Sequence, residues 1–374
     1  MNESDSIPVS EPCLDGNELR YLEECIRTGW ISSEGPFVER FESLFAERVE
    51  RKFGIAVANG TAALEIAVAA LDLQAGDEVI LPSFTIISCA NSIIRAGATP
   101  VPIDCDPCTW NMTLEHVSAA ITPRTRAIMI VHIYGLPVDV NPILALARKH
   151  SLYVIEDAAQ MHGQQYLGRP CGSFGHISTF SFYPNKLITC GEGGMIMCDD
   201  PVLANRCRRL RNLCFEPNRR FVHEEIGWNY RMTNMQAALG LAQLEKLDQV
   251  IKKKRAIGHR YTEGLQDIPA LQLPLDSTEY ADNLYWVYGI VLNDELPLDG
   301  GDVLERLRQE RIGARPFFWP MHQQPVYLRM GLFRNVSCPV SERIAKKGLY
   351  LPSGVALTNE QIDRVVCVLK RIFS

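Results

Sequence analysis

Short β-rich runs alternate with helical patterns through the first half of this chain, and this alternation limits the fold more than any other feature. The runs are Ile55 to Ala58, Glu78 to Leu81, Ala127 to Tyr134, Leu152 to Glu156 and Ile177 to Tyr183. Strands that alternate with helices predict an α/β fold. The run AIMIVHIY is apolar on both faces of a strand, which is typical of the centre of a mostly parallel sheet covered by helices on both sides.

The second half of the chain follows a different pattern. A helical period continues from Met232 through the sequence TNMQAALGLAQLEKLDQVIKKKRAIGHRYTEGL, which predicts one connecting helix. Beyond it, prolines separate short β runs such as WVYGIVL from helical patterns around VLERLRQERI and NEQIDRVVCVLKRIF. Because 374 residues are enough for two domains, we predict a large domain over 1–245 and a small α+β domain over 246–374.

Charge, hydropathy and cysteine spacing argue against several classes of protein. The chain has 38 Lys plus Arg and 44 Asp plus Glu, a net charge of -6, so it lacks the basic surface of a nucleic-acid-binding protein. No apolar run approaches the roughly 18 to 20 residues of a membrane span. We therefore expect a cytoplasmic protein with no nucleic-acid or membrane partner. Cys105 and Cys108 form a C-x-x-C without a second ligand pair, which favours a turn over a metal site.

A candidate anion site lies where a strand ends and the helix TAALEIAVAAL begins, at Asn59, Gly60 and Thr61. The unpaired amides of the first turn and the positive end of the helix dipole would bind a phosphate, with Gly60 allowing close approach and Ala62 leaving room. Plain helix capping would also explain these residues. The chain has neither a G-x-x-x-x-G-K-[ST] loop nor a G-x-G-x-x-G after a strand, which disfavours ATP and dinucleotide binding.

A carboxylate and a lysine follow further along the chain. The apolar strand in LYVIEDAAQMHG carries Glu156 and Asp157 to its carboxyl end, where open α/β sheets bind ligands. Asp157 could instead cap a helix. Lys186 lies between two strand-like segments in STFSFYPNKLITCGEGGMI, and burial would lower its pKa and make its amine nucleophilic. A phosphate cradle, a strand-end carboxylate and a sheltered lysine are together the groups that bind pyridoxal phosphate.

In these motifs the chain resembles the DegT/DnrJ/EryC1/StrS nucleotide-sugar aminotransferases, above all the members that form GDP-perosamine. The resemblance extends over nearly the whole chain, through NGTAAL, GDEVILPSFT, VIEDAAQ, TFSFYPNK, GEGGM, IGWNYRMTNMQAALGLAQLE and RPFFWPMHQQPVY. It implies the aspartate aminotransferase-like α/β fold (fold type I), in which a large domain has a mostly parallel seven-stranded sheet and a small α+β domain follows.

The same resemblance implies an activity. A transaminase of this kind would alternate between pyridoxal phosphate and pyridoxamine phosphate. It would move an amino group from L-glutamate to C4 of a 4-keto-6-deoxy nucleotide sugar. GDP-4-keto-6-deoxymannose is the substrate that the resemblance favours, for a surface polysaccharide such as O-antigen.

The resemblance also assigns roles to individual residues. Lys186 would bond covalently to the cofactor and move protons, and Asp157 would pair with its pyridine nitrogen. The other cofactor contacts would be Gly60, Thr61, Ala62 and Ser181 near the phosphate, Gln160 at the ring hydroxyl, Asn229 from the neighbouring subunit, and Phe84 or Ile86 on the ring. Contacts with the sugar nucleotide would come from His322, Trp30, Ser32, Arg219 and Tyr183. The role of Asn229 implies a homodimer with shared active sites.

Several alternatives stay open at this point. His322 could equally be a partly buried loop histidine hydrogen-bonded to backbone, and Arg219 could equally form a surface salt bridge. Ile86 stands where related sequences usually have an aromatic residue, and the sequence does not decide whether Ile86 or Phe84 covers the cofactor ring. A dTDP- or UDP-linked sugar aminated at C4 or C3 fits nearly as well, and the stereochemistry and any oligomer beyond a dimer are undetermined. A dehydratase would have histidine in place of Lys186, and a non-catalytic or regulatory protein on the same fold would be expected to lack Lys186 or Asp157.

Overall fold

The computed structural model describes residues 6–216 and 218–374. The strands of its first part are β1 (Phe53–Val57), β2 (Glu78–Pro82), β3 (Thr99–Ile103), β4 (Thr125–Val131), β5 (Tyr153–Asp157), β6 (Gln165–Tyr166), β7 (Arg169–Pro170), β8 (Ile177–Ser181) and β9 (Gly194–Cys198). Seven of them form one sheet in the order β1-β9-β8-β5-β4-β2-β3, while β6 and β7 form a separate short hairpin. β9 runs antiparallel to both of its neighbours, and the other pairs are parallel. The predicted mostly parallel seven-stranded sheet is therefore confirmed.

Helices connect and cover these strands. They are α1 (Glu18–Thr28), α2 (Pro36–Val49), α3 (Gly60–Ala69), α4 (Ile87–Arg95), α5 (Leu114–Ala120), α6 (Val140–Lys149), α7 (Pro201–Arg211) and α8 (Asn234–Leu244). Every residue of β4 from Ala127 to Val131 is buried. A strand buried on both faces is what its unbroken apolar run predicts for the interior of a parallel sheet.

The C-terminal part has its own sheet and its own apolar core. Its strands β10 (Leu271–Gln272), β11 (Tyr288–Leu292), β12 (Arg315–Pro316) and β13 (Gly348–Leu351) pair antiparallel in the order β10-β11-β13-β12. Its helices are α9 (Leu247–Leu265), α10 (Gly300–Gln309), α11 (Pro325–Arg329), α12 (Pro339–Lys347) and α13 (Asn359–Phe373). Ile7 packs in this second core and forms a β-bridge with Ile312. The domain boundary after residue 245 stays a prediction. Through Ile7, the N-terminal segment contributes to the core of the C-terminal part.

The single connecting helix predicted from Met232 onward is wrong, because α8 ends at Leu244 and α9 begins at Leu247. At the junction, Lys246 has φ -107° and ψ 2°, away from helical values. The Glu245 carboxylate accepts hydrogen bonds from Asn17 and Tyr21 of the N-terminal region. Since α8 packs on α1 and α2 while α9 packs on α13, tertiary contacts divide a pattern whose periodicity is continuous.

Two further expectations concern cysteines and membranes. Asp106 Oδ1 accepts hydrogen bonds from the backbone amides of Cys108 at 2.9 Å and Thr109 at 2.7 Å, which closes the turn expected at the C-x-x-C. Cys105 is buried and Cys108 is exposed. Within residues 6–216 and 218–374, no helix combines the length and the apolar character needed to cross a membrane.

Candidate active site

A cavity of about 670 Å³ opens at the carboxyl ends of β4, β5 and β8, beside the first turn of α3. The seven-stranded sheet and the helices and loops next to it provide most of the cavity wall. The C-terminal part of the chain completes the wall with Trp286, Phe318 and Tyr350. The predicted site residues that line this cavity are Gly60, Thr61, Ala62, Ile86, Asp157, Gln160, Ser181, Tyr183 and Lys186. Residues separated by more than a hundred positions in the sequence therefore meet at one site.

The first turn of α3 provides an anion site within this cavity. The Asn59 side chain caps the helix by accepting a hydrogen bond from the Ala62 amide at 2.8 Å. In the described part of the chain, the amides of Gly60 and Thr61 have no acceptor. A Cβ atom at Gly60 would lie 2.6 Å from Cβ of Ser181, so glycine is required for β8 to approach the helix. Two open amides, the positive end of the helix and the Ser181 hydroxyl fit a phosphate group.

Asp157 presents a buried carboxylate at the end of β5. Its Oδ1 accepts a hydrogen bond from the Ala159 amide at 3.0 Å, and its Oδ2 accepts one from the Cys89 thiol at 3.4 Å. Burial raises the pKa of Asp157, while the Ala159 amide, the Cys89 thiol and the charge of Lys186 act against that rise. A buried carboxylate with no Lys, Arg or His partner within salt-bridge distance in the described residues needs a cation. A protonated pyridine nitrogen fits this requirement.

Glu156, the neighbouring carboxylate, has a structural role. Its Oε1 accepts hydrogen bonds from the Gly172 amide at 2.5 Å and from Nε2 of His132 at 3.0 Å, and its Oε2 accepts one from the Phe174 amide at 2.8 Å. His132 Nδ1 accepts a hydrogen bond from the Val138 amide at 3.0 Å, so Nε2 carries a proton and donates to Glu156. Because all of these side-chain atoms are already hydrogen-bonded, Glu156 and His132 support the end of β5 and are not suited to binding a metal.

Lys186 lies in the loop between β8 and β9, and its amine faces the cavity. Its backbone amide donates to the Tyr183 carbonyl at 2.9 Å, and its Nζ lies 3.6 Å from the centroid of the Trp286 ring. Burial lowers the pKa of Lys186 to about 7, against the opposing effect of the Asp157 charge. Near neutral pH a large fraction of the amine is therefore unprotonated and able to act as a nucleophile.

Gln160 and Ile86 face the cavity in distinct ways. Gln160 Oε1 accepts a hydrogen bond from the Tyr134 amide at 2.6 Å, which leaves Nε2 as a free donor suited to a ring hydroxyl oxygen. Ile86 is 42% exposed and lines the cavity. Phe84 is fully buried and packs against Tyr134. Of the two candidates for covering the cofactor ring, Ile86 is thus the one that reaches the cavity.

The remaining predicted contacts lie outside the cavity of their own chain. His322 is buried, with Nδ1 2.7 Å from the Ser83 hydroxyl and Nε2 2.9 Å from the Glu342 carboxylate. Arg219 is exposed and forms an ion pair with Glu224 at 2.6 Å. The ion pair of Arg219 is the surface salt bridge that was its alternative, whereas the partners of His322 are side chains and not the backbone groups that its alternative expected. Like Arg219, the predicted contacts Trp30, Ser32 and Asn229 are exposed and lie outside the cavity.

Sequence reasoning missed a polar group on α3. The Glu65 carboxylate accepts a hydrogen bond from the Tyr230 hydroxyl at 2.7 Å and pairs with Arg95 at 3.3 Å. All three residues line the cavity. Glu65 is the one charged residue in the apolar helix TAALEIAVAAL, and that isolated charge is a signal by which the sequence could have revealed it.

Comparison with known proteins adds family and fold. The sequence model of the DegT/DnrJ/EryC1/StrS aminotransferase family matches residues 12–370. The chain is 42% identical to GDP-perosamine synthase of Caulobacter vibrioides over 372 residues, which cover 100% of both proteins. It is 39% identical to GDP-perosamine synthase of Vibrio cholerae over 368 residues, 98% of this chain and 99% of that protein.

Solved structures have the same architecture over almost the whole chain. The aminotransferase TlmJ from Streptoalloteichus hindustanus superimposes with a TM-score of 0.90 at 30% identity, covering 98% of each chain. DesI, whose crystal structure was determined in the presence of its TDP-sugar product, superimposes with a TM-score of 0.89 at 30% identity, covering 98% of this chain and 93% of that one. The aspartate aminotransferase-like fold expected from the sequence is confirmed.

Proposed function

Because the chain belongs to the DegT/DnrJ/EryC1/StrS aminotransferase family, we propose that it transfers an amino group from glutamate to C4 of GDP-4-keto-6-deoxymannose and forms GDP-perosamine. The enzyme class is that of a pyridoxal phosphate-dependent sugar-nucleotide aminotransferase. The observation that carries the proposal is the cavity in which Lys186, Asp157 and the amides of α3 meet. The choice of sugar rests on relatives named GDP-perosamine synthase that are 39% and 42% identical over essentially the full length.

The residues around the cavity fit the cofactor group by group. The amides of Gly60 and Thr61 and the Ser181 hydroxyl would hold the phosphate. Asp157 would keep the ring nitrogen protonated, and Gln160 would donate from Nε2 to the ring hydroxyl. When bound, pyridoxal phosphate supplies an electron sink for a C–H bond broken beside an amino nitrogen and carries that nitrogen between two substrates.

Lys186 would move the protons of both half-reactions. In its neutral form, Nζ would accept the proton that leaves the amino-bearing carbon of glutamate and pass it to C4′ of the cofactor. In the second half-reaction Nζ would take a proton from C4′ and, as an ammonium group, deliver it to the former ketone carbon of the sugar, which becomes the carbon that holds the new amine. A pKa of about 7 suits this exchange, because both forms of the amine are populated near neutral pH.

A substrate panel tests the proposed reaction. Purified protein loaded with pyridoxal phosphate would be incubated with glutamate and with GDP-, dTDP- and UDP-linked 4-keto-6-deoxy and 3-keto sugars, and the products would be identified by mass spectrometry. We expect GDP-4-keto-6-deoxymannose to be converted to the 4-amino sugar at the highest kcat/KM. A preference for a dTDP- or UDP-linked sugar would retain the enzyme class and refute the GDP substrate. A protein that aminates none of them would refute the activity.

We also propose a homodimer in which each site borrows Asn229 from its partner. Asn229 is exposed and does not line the cavity of its own chain. Nearby in the sequence, Phe221 and Ile226 are 82% and 90% exposed. Apolar side chains that are so exposed in a single chain support a subunit interface in this region. The nucleotide-sugar contacts assigned to Trp30, Ser32, Arg219, Tyr183 and His322 stay predictions.

Complementation between two inactive variants tests the shared site. Asn229→Ala and Lys186→Ala chains would be mixed under conditions that exchange subunits, with exchange verified by mass spectrometry of differently tagged chains. A heterodimer has one intact site, with Lys186 from one chain and Asn229 from the other. Random exchange should therefore restore about one quarter of wild-type activity. Exchange without recovery would show that Asn229 does not act across the interface.

A further inference from the structure

Trp286 forms part of the cavity wall directly against Lys186. Its side chain is buried, and its ring centroid lies 3.6 Å from Nζ of Lys186. Its indole N–H donates to the carbonyl of Asn185, the residue before Lys186, at 2.9 Å. A cation within about 6 Å of an indole centroid is attracted by the face of the ring. The ring thus contacts both the lysine amine and the loop that carries it.

Lys254 holds the backbone of Trp286 in place through a hydrogen bond. Its Nζ donates to the carbonyl of Trp286 at 2.8 Å and also to the carbonyl of Ser353. The Ser353 hydroxyl in turn accepts a hydrogen bond from the amide of Tyr288 at 2.9 Å. Lys254 is buried in α9, and Ser353 follows β13. The position of the indole is therefore set by groups from several elements, which gives the ring little freedom to move away from Lys186.

We propose that Trp286 is a positioning residue for Lys186. The face of its indole ring holds the lysine amine at the edge of the cavity whenever that amine is not bonded to the cofactor. This inference rests on the proposed transamination, in which Lys186 must be free while it moves protons. An unbonded lysine side chain has many rotamers, and restricting it to one place beside the reacting carbons removes an entropic part of the barrier.

The titratable groups around the Lys186 amine affect how its pKa should respond when the indole ring of Trp286 is removed. In the described residues, the titratable groups that line the cavity with Lys186 or act on its charge are Asp157 at the end of β5, His162 after β5, Tyr183 and Glu192 in the loop between β8 and β9, Tyr350 on β13, and Glu65, Arg95 and Tyr230. Glu11, Cys13 and Lys254 line a second, smaller pocket together with Lys186 and Trp286. Trp286→Phe and Trp286→Leu leave all of these groups in place. The ring face stabilises the ammonium form, so removal of the face should lower the pKa of Lys186.

Competitive acylation of the cofactor-free protein measures this effect without any turnover. The rate at which acetic anhydride modifies Lys186 would be followed against pH by peptide mass spectrometry, with the exposed Lys253 of the same chain as internal reference. In Trp286→Leu we expect the apparent pKa of Lys186 to fall by about 0.5 to 1 pH unit. Trp286→Phe is the matched control, because it keeps an aromatic face and lacks the indole N–H. Its apparent pKa should stay close to that of the wild type.

The loaded enzyme gives a second readout. Trp286→Leu should still take up pyridoxal phosphate, while kcat falls roughly 10- to 100-fold because the freed amine is no longer held in place. An unchanged pKa of Lys186 in a folded Trp286→Leu variant would overturn the proposal. An equal fall in both variants would also overturn it, since the shared loss of the N–H bond to Asn185 would then be the cause. If the wild type transaminates no nucleotide sugar, the proposed function fails, and the acylation data still decide the contact between Trp286 and Lys186.

Discussion

A Lys186→Ala variant is expected to bind pyridoxal phosphate without a covalent bond and to lose about 10³-fold or more of its activity in both half-reactions. In the described part of the chain, Lys186 is the one lysine that lines the 670 Å³ cavity. The nearby Lys254 donates its Nζ to the carbonyls of Trp286 and Ser353, so no second amine is placed to replace Lys186. Borohydride should fix the cofactor to Lys186 of the wild type and leave it removable from the variant. The absorption spectrum, peptide mapping and the conversion of bound cofactor by glutamate measure these outcomes.

Two further variants distinguish chemistry from charge. Lys186→Arg keeps a cation in the cavity but has no amine of suitable pKa, and it should be nearly as inactive as Lys186→Ala. Lys253→Ala removes an exposed lysine of α9 and should leave turnover unchanged. Near-normal activity in either variant at position 186 would show that another group does this work.

An Asp157→Asn variant is expected to fold and to lose roughly 10² to 10⁴-fold of kcat/KM. Asparagine can still accept the hydrogen bond from the Ala159 amide that the carboxylate accepts at 3.0 Å, but it has no charge to keep the ring nitrogen protonated. The ring nitrogen of the bound cofactor should therefore lose its proton at a lower pH than in the wild type. A pH series of its visible absorption, together with steady-state kinetics, measures both effects.

Glu156→Gln is the matched control, one residue earlier on β5. Both Glu156 oxygens accept backbone hydrogen bonds, from the amides of Gly172 and Phe174. A glutamine side chain has only one oxygen, so its NH₂ group would face one of these two backbone N–H donors. This variant should lose about 1–3 kcal/mol of stability and keep the cofactor absorption of the wild type. If Asp157→Asn and Glu156→Gln change the cofactor spectrum equally, Asp157 has no specific role at the ring.

The parts of the site that sequence reasoning could find share a local signature. Asn59 can cap a helix and follows a strand, Asp157 ends an apolar strand, and Lys186 lies between two strand-like segments. Each signal depends on residues within a few positions of the functional group. In an open α/β sheet, strand ends meet at one edge, so local signals were sufficient to group these residues in one cavity.

The rest depends on tertiary contacts that no local pattern encodes. Trp286, Phe318 and Tyr350 reach the cavity from the C-terminal part of the chain, and their own segments look like ordinary buried strands and loops. Phe84 and Ile86 are two positions apart, so strand alternation alone would place them on the same side, whereas the structure buries one and exposes the other. The break between α8 and α9 was missed for the same reason, since partners that are distant in sequence determine it.

The pairing of β1 with β9, in which Phe53 lies opposite Cys198, affects how the molecule forms during synthesis. A nascent chain emerges from its N-terminus, so β1 must wait for β9 before it has a neighbour, and contacts this distant in sequence make folding slow and expose strand edges. The cavity is complete later still, because Tyr350 belongs to its wall. A ribosome-bound chain that ends before Tyr350 would contain Lys186 and Asp157 in an unfinished pocket, so full enclosure of the cofactor would have to wait until Tyr350 has been synthesised and folded into place.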